Sequence, residues 1–390
     1  MMREFKVNHL ITLRLIGGKT VLFVNNREFK QCKILLLDIP INGESAEGIN
    51  SIDEASDRFK SSSFYGYIDK NEEFWAHCSN MQVWAENNYD TDILHRNLAF
   101  PLLKKLSKEG DKLAKQRFIE EIARRYKYGG INVQLYLFNE NYLDYLTNDD
   151  ILSGIILPEE ASFMAKIFES RSKYRLIPYF GLLEGEIRGI TKFISLKNGR
   201  VGQLEFEIKN KLLRVPSEIE SLKTLERLHI YIGSHSDNIF GEQFNAESIT
   251  YLMISCNAMD ITIPDLLYYF PNLRWLYIEG IKINGPVIKY DESSKKSRFL
   301  IKGIDYKPFV KLDNSFKKLQ NLESIKLHNV SLDELPDTIM NLKKLIYIDL
   351  AYTSIKSLSM PIIEALKKTG ALANSNLILL PKEFKALKKK

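Results

Sequence analysis

Apolar side chains in residues 201–390 recur at three positions of a repeating unit, and successive units lie 23 to 26 residues apart. The first position holds Val201, Leu225, Ile249, Leu273, Phe299, Leu322 and Leu345. The second position holds Leu204, Leu228, Leu252, Leu276, Lys302, Ile325 and Ile348. The third position holds Phe206, Ile230, Ile254, Ile278, Ile304, Leu327 and Leu350. A short strand cannot bury its own apolar edge, so this period predicts a solenoid of stacked strand units.

The most regular unit is segment 322–342, in which the strand sequence LESIKL is followed by the pair Leu335-Pro336. A proline suits the first turn of a helical return segment because its missing N–H would have no partner there. This unit resembles the intracellular Ras-suppressor-like class of leucine-rich repeats, although only Asn257 stands where that class buries asparagine. The resemblance implies an α/β solenoid, a leucine-rich-repeat horseshoe of about eight repeats over residues 191–390.

The N-terminal residues alternate between apolar and polar side chains, as half-buried strands do. Ile11, Leu13 and Leu15 share one face, and Gly17-Gly18 supplies a turn before the next apolar segment. We predict a small β-meander over residues 1–41. Residues 42–63 are rich in Gly, Ser, Glu and Asp, which predicts a flexible linker.

Residues 64–190 change to the periodicity of helices. The predicted helices span residues 71–85, 91–108, 111–128, 133–146, 148–156 and 159–170. Helices of this size predict an armadillo- or HEAT-like helical module. The segments NMQVWAENNYD (80–90) and LHRNLAFPLLKK (94–105) are similar to the N-terminal module of certain archaeal leucine-rich-repeat proteins. That resemblance implies no established activity.

Composition limits the class of protein further. The net charge of +6 is small for 390 residues and the charges are interspersed, which argues against a dedicated nucleic-acid-binding protein. Cys32, Cys78 and Cys256 are too few and too scattered for a disulfide framework. The sequence has no signal-peptide pattern and no apolar run of about 18 residues, so we expect a soluble cytoplasmic protein without a membrane span.

No residue pattern typical of an active site occurs in the sequence. The six histidines lack the spacing of a metal-binding motif, and no serine lies in a Gly-x-Ser-x-Gly elbow. The segment Gly17-Gly18-Lys19-Thr20 imitates the end of a phosphate-binding loop, but Leu13 stands where that motif needs glycine. We therefore predict no enzymatic activity, no catalytic residues, no cofactor and no bound metal.

One face of the predicted strands carries the residues best suited to binding another molecule. Positions that alternate with the buried leucines point to the opposite, concave side. The predicted partner-binding patch consists of His229, Tyr231, Tyr251, Met253, Trp275, Tyr277, Glu279 and Asp305. Aromatic side chains exposed together often mark protein interfaces. The alternative is cross-strand packing that only stabilises the sheet, or cover by the protein's own N-terminal module.

These features favour a non-enzymatic scaffold or adaptor that binds a protein partner on the concave face of the repeats. The family resemblance implies a small GTPase as one candidate partner, and we expect a monomer. One alternative is an enzyme or regulatory module in residues 1–190, with the repeats selecting its substrate; a deep pocket lined by convergent polar groups would indicate it. A second alternative is a membrane-surface or nucleic-acid scaffold that uses the C-terminal lysines, from Lys382 to Lys390.

Overall fold

The computed structural model describes residues 3–30, 69–169, 173–179, 192–208, 212, 214–232, 239–256, 261–263, 265–281, 287–291, 296–300, 307–312, 318–332, 335, 337–350 and 352–355. The chain divides into two compact units, Met1–Arg124 and Arg125–Lys390. The domain boundaries predicted from the sequence lie at residues 41, 63 and 190, and they differ from this division. They stay a prediction. The predicted linker and the C-terminal lysines lie outside the described residues.

An antiparallel sheet begins the first unit. Its strands are β1 (Arg3–Lys6), β2 (Ile11–Ile16), β3 (Lys19–Val24) and β4 (Arg27–Glu28), paired in chain order. Gly17 and Gly18 join β2 to β3 with φ values of 58° and 72°, a backbone conformation that glycine adopts without steric cost. The segment that imitates a phosphate-binding loop therefore connects two strands, whereas such a loop must open a helix.

Helices follow this sheet in the first unit. They are α1 (Lys70–Glu86), α2 (Arg96–Lys108) and α3 (Lys112–Tyr128), the last of which continues into the second unit. Helix α1 contacts β2 and β3, and the rings of Phe5 and Trp75 meet edge to face with centroids 6.0 Å apart. The hydroxyl of Tyr89, which follows α1, accepts a hydrogen bond from Asn8 at 3.0 Å and donates one to Asp111 at 2.7 Å. Asn8 lies between β1 and β2 and Asp111 precedes α3, so these bonds connect the sheet to the ends of α1 and α3.

Three shorter helices belong to the second unit. They are α4 (Ile131–Asn139), α5 (Asn148–Gly154) and α6 (Pro158–Phe168). Thr147 and Asp150 form a reciprocal capping box at the start of α5, and Pro158 is the first residue of α6. The six helices found among the described residues all occur at positions where the sequence periodicity predicts them.

The second unit contains most of the strands. In chain order they are β5 (Arg175–Leu176), β6 (Phe193–Lys197), β7 (Arg200–Ile208), β8 (Arg227–Ile232), β9 (Tyr251–Cys256), β10 (Ile261–Ile263), β11 (Trp275–Gly280), β12 (Val287–Asp291), β13 (Lys296–Leu300), β14 (Val310–Leu312), β15 (Ser324–His328) and β16 (Tyr347–Asp349). Eight of these strands form one sheet in the order β16-β15-β11-β9-β8-β7-β6-β5. Within it β6 and β7 are antiparallel and the other pairs are parallel, so the sheet is mixed.

An apolar ladder crosses six strands of this sheet in register. Its buried members are Leu204, Leu228, Leu252, Leu276, Ile325 and Ile348. A second buried row lies two residues further along the same face and includes Phe206, Ile230 and Ile254. Each fully buried side chain of this size contributes about 1.5–3 kcal/mol to folding, so the two rows fix the register of the strands.

The predicted leucine-rich-repeat horseshoe of about eight repeats is wrong. The architecture is an α/β domain with a large mixed sheet, and the expected succession of one strand per unit fails after β11. Trp275 pairs directly with Ser324, whereas Phe299 lies in β13 and pairs with Ile288 of β12 in a separate antiparallel sheet. Lys302, which stands at the apolar second position of that unit, lies outside the described residues.

The predicted armadillo- or HEAT-like region is wrong as well. Such regions stack similar helix pairs into a superhelix. Here α1 packs against a four-stranded antiparallel sheet, and α4 to α6 belong to the unit that contains the mixed sheet. Helical periodicity identified the individual helices, but it carries no information about which element each apolar stripe covers. Among the described residues, no helix has the length and apolar character to cross a membrane.

One buried tyrosine connects the end of α3 to the strands of the second unit. The Tyr126 side chain is fully buried, and its hydroxyl donates a hydrogen bond to the carbonyl oxygen of Ile177 at 2.6 Å. The amide side chain of Gln134 donates to the carbonyl oxygens of Tyr126 and Leu196, each at 3.3 Å. Burial raises the pKa of Tyr126 well above its usual range, so the hydroxyl stays a donor at all physiological pH values.

We expect Tyr126→Phe to lower the free energy of unfolding by about 1–3 kcal/mol, because the Ile177 carbonyl loses its donor in a buried position. Tyr128→Phe is the matched control, since Tyr128 lies two residues further along the same helix and is 75% exposed. Urea denaturation followed by circular dichroism measures both. Equal stability of the two variants would contradict the role given to the Tyr126 hydroxyl.

Candidate functional site

The strands β8, β9, β11 and β15 present two different faces. One face carries the buried apolar rows, and most of the alternate residues are partly exposed on the other, which we call the open face. Its aromatic and thioether members are Tyr231, Tyr251, Met253, Trp275 and Tyr277. Tyr251 pairs with Trp275 and Met253 pairs with Tyr277 across adjacent parallel strands, so these side chains are neighbours. The strand register thus gathers them into one surface.

The structure places seven of the eight residues of the predicted patch on the open face. His229, Tyr231, Tyr251, Met253, Trp275, Tyr277 and Glu279 are all partly exposed there, whereas Asp305 lies outside the described residues. Their role in partner binding stays a prediction. Glu205, at the position of β7 opposite His229, is only 4% exposed and bonds to neighbouring groups within the sheet.

Cations lie against three of the aromatic rings. The guanidinium carbon of Arg227 is 4.0 Å from the centre of the Tyr251 ring, and that of Arg274 is 4.3 Å from the Trp275 ring. The Lys326 ammonium lies 4.5 Å from the centre of the Tyr277 ring. Each contact contributes about 0.5–1 kcal/mol at an exposed position. The open face is therefore amphipathic, since each cation covers part of an aromatic surface.

Two further ion pairs hold charges at the edge of this surface. Arg274 makes two hydrogen bonds of 2.9 Å to the carboxylate of Glu323, and Lys192 bonds Glu207 at 2.6 Å. A bidentate arginine–carboxylate pair restricts the guanidinium, so Arg274 keeps its position over Trp275. The open face consequently offers fixed charges of both signs beside its aromatic rings.

His229 bridges two polar residues of neighbouring strands. Its Nδ1 lies 2.6 Å from a carboxylate oxygen of Glu205, and its Nε2 lies 2.8 Å from the hydroxyl oxygen of Ser255. The other Glu205 oxygen accepts a hydrogen bond from the backbone N–H of Lys192 at 3.1 Å. Sequence motifs did not reveal this network. The signal that could have found it is the register, because Glu205 and His229 occupy the same position in adjacent strands.

The order Glu205–His229–Ser255 matches that of a hydrolase triad, in which a histidine activates a serine and a carboxylate orients the histidine. Ser255 is only 2% exposed, however, so a substrate carbonyl has no approach to its hydroxyl oxygen. The thiols are equally unsuited to catalysis, since burial raises the pKa of Cys78 to about 11 and that of Cys256 to about 12. The network holds the His229 ring in one orientation on the open face.

No protein-family model matches the chain, and no curated protein matches it. The resemblance to leucine-rich-repeat proteins therefore depends only on the quoted residues, and the mixed sheet does not support it. Among the described residues, no group of three or more His, Cys, Asp or Glu side chains is arranged to bind a metal ion.

The covered Ser255 hydroxyl should not react with a fluorophosphonate probe, because the probe needs the same approach as a substrate carbonyl. Intact-mass spectrometry after incubation should show the unmodified protein, while a known serine hydrolase in a parallel reaction becomes fully labelled. Labelling of one site per chain that disappears in Ser255→Ala would contradict this reading and would identify an active triad.

Proposed function

We propose that the protein is a non-enzymatic cytoplasmic adaptor that binds a protein partner on the open face of the mixed sheet. The observation that carries this proposal is the gathering of Tyr231, Tyr251, Trp275 and Tyr277 on one partly exposed surface. Tyrosine and tryptophan dominate the residues that supply most of the energy in protein interfaces. The described cysteines, Cys78 and Cys256, are free thiols, which suits a reducing compartment.

The buried side chains on the other face of the sheet also hold the open face in a fixed conformation before binding. Every strand that carries an aromatic residue buries leucine or isoleucine on its other side, so the backbone under the rings is fixed. Arg227 and Lys326 further restrict the Tyr251 and Tyr277 rings. Ordering an interface side chain costs about 0.5–1.5 kcal/mol, and side chains that are already ordered avoid part of that cost.

The charges on this surface favour a protein partner over a nucleic acid. Arg227, Lys326 and His229 lie on the open face, but Glu279 is partly exposed there and Glu207 pairs with Lys192 beside it. A single-stranded nucleic acid needs a continuous positive groove along aromatic platforms. The mixed charges instead suit a protein surface with complementary charges of both signs.

The enzymatic alternative requires a pocket with convergent catalytic groups. A cavity of about 490 Å³ near residues 127–200 is lined by no serine, cysteine, histidine or carboxylate among the described residues. A second cavity of about 250 Å³ near residues 87–124 is lined by carboxylates, but Arg117 and Arg124 pair with most of them. Both linings suit binding better than bond-breaking chemistry. The small GTPase partner implied by the family resemblance stays a prediction, and the alternative that uses the C-terminal lysines concerns residues outside those described.

The proposal is tested by Trp275→Ala combined with Tyr277→Ala. We expect this double variant to lose at least ~2 kcal/mol of binding energy for the partner, because two rings of the central cluster are removed. Its melting temperature should stay close to that of the wild type, since both residues lie outside the buried rows. Quantitative mass spectrometry of proteins captured by tagged wild type and variant identifies the partner, and calorimetry with the purified partner measures the loss.

A matched control replaces two exposed tyrosines elsewhere in the second unit. Tyr145→Ala combined with Tyr268→Ala removes aromatic surface of 39% and 51% exposure that does not belong to the open face. The partner should be retained by this control and lost by the test variant. A partner captured equally by both variants and the wild type would rule out the open face as its binding site.

A further inference from the structure

A cavity in the second unit lies outside the open face. It is formed where α3 ends and α4 begins, together with the turn that joins β6 to β7, and its volume is about 490 Å³. This volume falls within the range of small-molecule sites, about 300–1,000 Å³, and is too small for a folded partner. The volume of the cavity therefore suits a ligand of low molecular weight.

The charged residues that line the cavity are all cationic. Lys127, Lys197 and Arg200 line it, and no carboxylate is among the described lining residues. The Lys127 ammonium lies 5.6 Å from the centre of the Tyr128 ring, and the carboxylates of Glu159 and Glu160 interact electrostatically with it from outside the lining. Three cations that converge on one cavity attract an anion and give the site a preference for a multiply charged one.

Two of these cations are held by carboxylates from outside the lining. Lys197 pairs with Glu226, and Arg200 pairs with Glu159 at 2.8 Å and lies 3.9 Å from the buried carboxylate of Glu160. The side chains of the Lys197–Glu226 and Arg200–Glu159 pairs are between 37% and 51% exposed, and exposed pairs of this kind contribute little to stability. A phosphate group can therefore replace Glu226 and Glu159 at small cost, while Arg200 stays beside the buried Glu160.

Backbone N–H groups add donors to the same cavity. Gly130 precedes α4 without any side chain that caps the helix, so the first N–H groups of α4 have no side-chain acceptor there. Gly129 admits no side chain, since a Cβ would lie 2.4 Å from the Arg125 carbonyl oxygen. Asn198 and Gly199, in the turn that joins β6 to β7, also line the cavity and have φ values of 52° and 76°. The N-terminus of α4 complements the cations.

Aromatic rings form part of the wall. Tyr128 is 75% exposed, and the Tyr179 ring lies 5.5 Å from the Lys197 ammonium. Leu157, Ile131 and Leu196 add apolar surface beside the cations. A bare inorganic anion would leave this surface unused, whereas an organic group attached to the anion would cover it.

We propose that this cavity binds a small phosphorylated organic molecule. Its phosphate contacts Lys127, Lys197 and Arg200, and its organic part packs against Tyr128 and Tyr179. Nothing in this proposal depends on the open face, so the two surfaces are separate sites on one unit. The cavity is a binding site without catalytic groups.

Calorimetric titration of the full chain tests the proposal with three probes: AMP, adenosine and inorganic phosphate. We expect AMP to bind at least ~10-fold more tightly than inorganic phosphate, because its ring uses the aromatic wall, and we expect no binding of adenosine. The double variant Lys127→Ala with Arg200→Ala should weaken AMP binding at least ~10-fold, since charged hydrogen bonds are lost. Failure of AMP to bind, or equal affinity for AMP and adenosine, would overturn the proposal.

A charge-matched control separates this site from general attraction of anions. Lys166→Ala combined with Arg175→Ala removes the same charge from exposed ion pairs outside the cavity, and AMP affinity should not change. Equal loss in both double variants would show that no specific site exists. Lysine acylation of the wild-type protein gives a second readout that needs no variant, because AMP should protect Lys127 from acylation while Lys166 stays reactive. Absence of that protection would also overturn the site.

Discussion

The structure of the second unit depends on one constraint, the in-register pairing of parallel strands whose alternate side chains are buried. Leu204, Leu228 and Leu252 are opposite one another in adjacent strands, and shifting any strand by one residue would expose its entire apolar row. The same register determines which residues face outward. Tyr251 and Trp275 are neighbours because Leu252 and Leu276 are neighbours beneath them. The register of the core thus determines which residues are neighbours on the open face.

The sequence predicted local elements far better than their assembly. Apolar spacing located the six described helices and the strands of the repeating rows, because periodicity reports which side of an element is buried. It could not show that β11 pairs with β15 past the segment that contains Phe299, since that choice depends on competing pairings. The antiparallel pair of β6 and β7 makes the eight-stranded sheet mixed, which differs from the predicted horseshoe.

For the candidate sites as well, sequence spacing predicted some features, whereas others arise only from strand pairing. The aromatic residues of the open face were predictable because they occupy equivalent positions in successive strands. The Glu205–His229–Ser255 network and the cationic cavity were missed, since their members are brought together only by strand pairing or by the turn beside α4. A sequence motif requires residues at a fixed spacing along the chain, whereas these residues are distant in sequence and close only in the folded structure.

The central claim is that the open face contacts a protein partner, and site-specific photo-cross-linking tests it most directly. A benzophenone amino acid placed at position 277, on the open face, is compared with the same group at position 268, which is exposed on a separate short helix. The account predicts that one partner protein is cross-linked from position 277 and is absent from the products of position 268. The same products from both positions, or none from position 277, would contradict it.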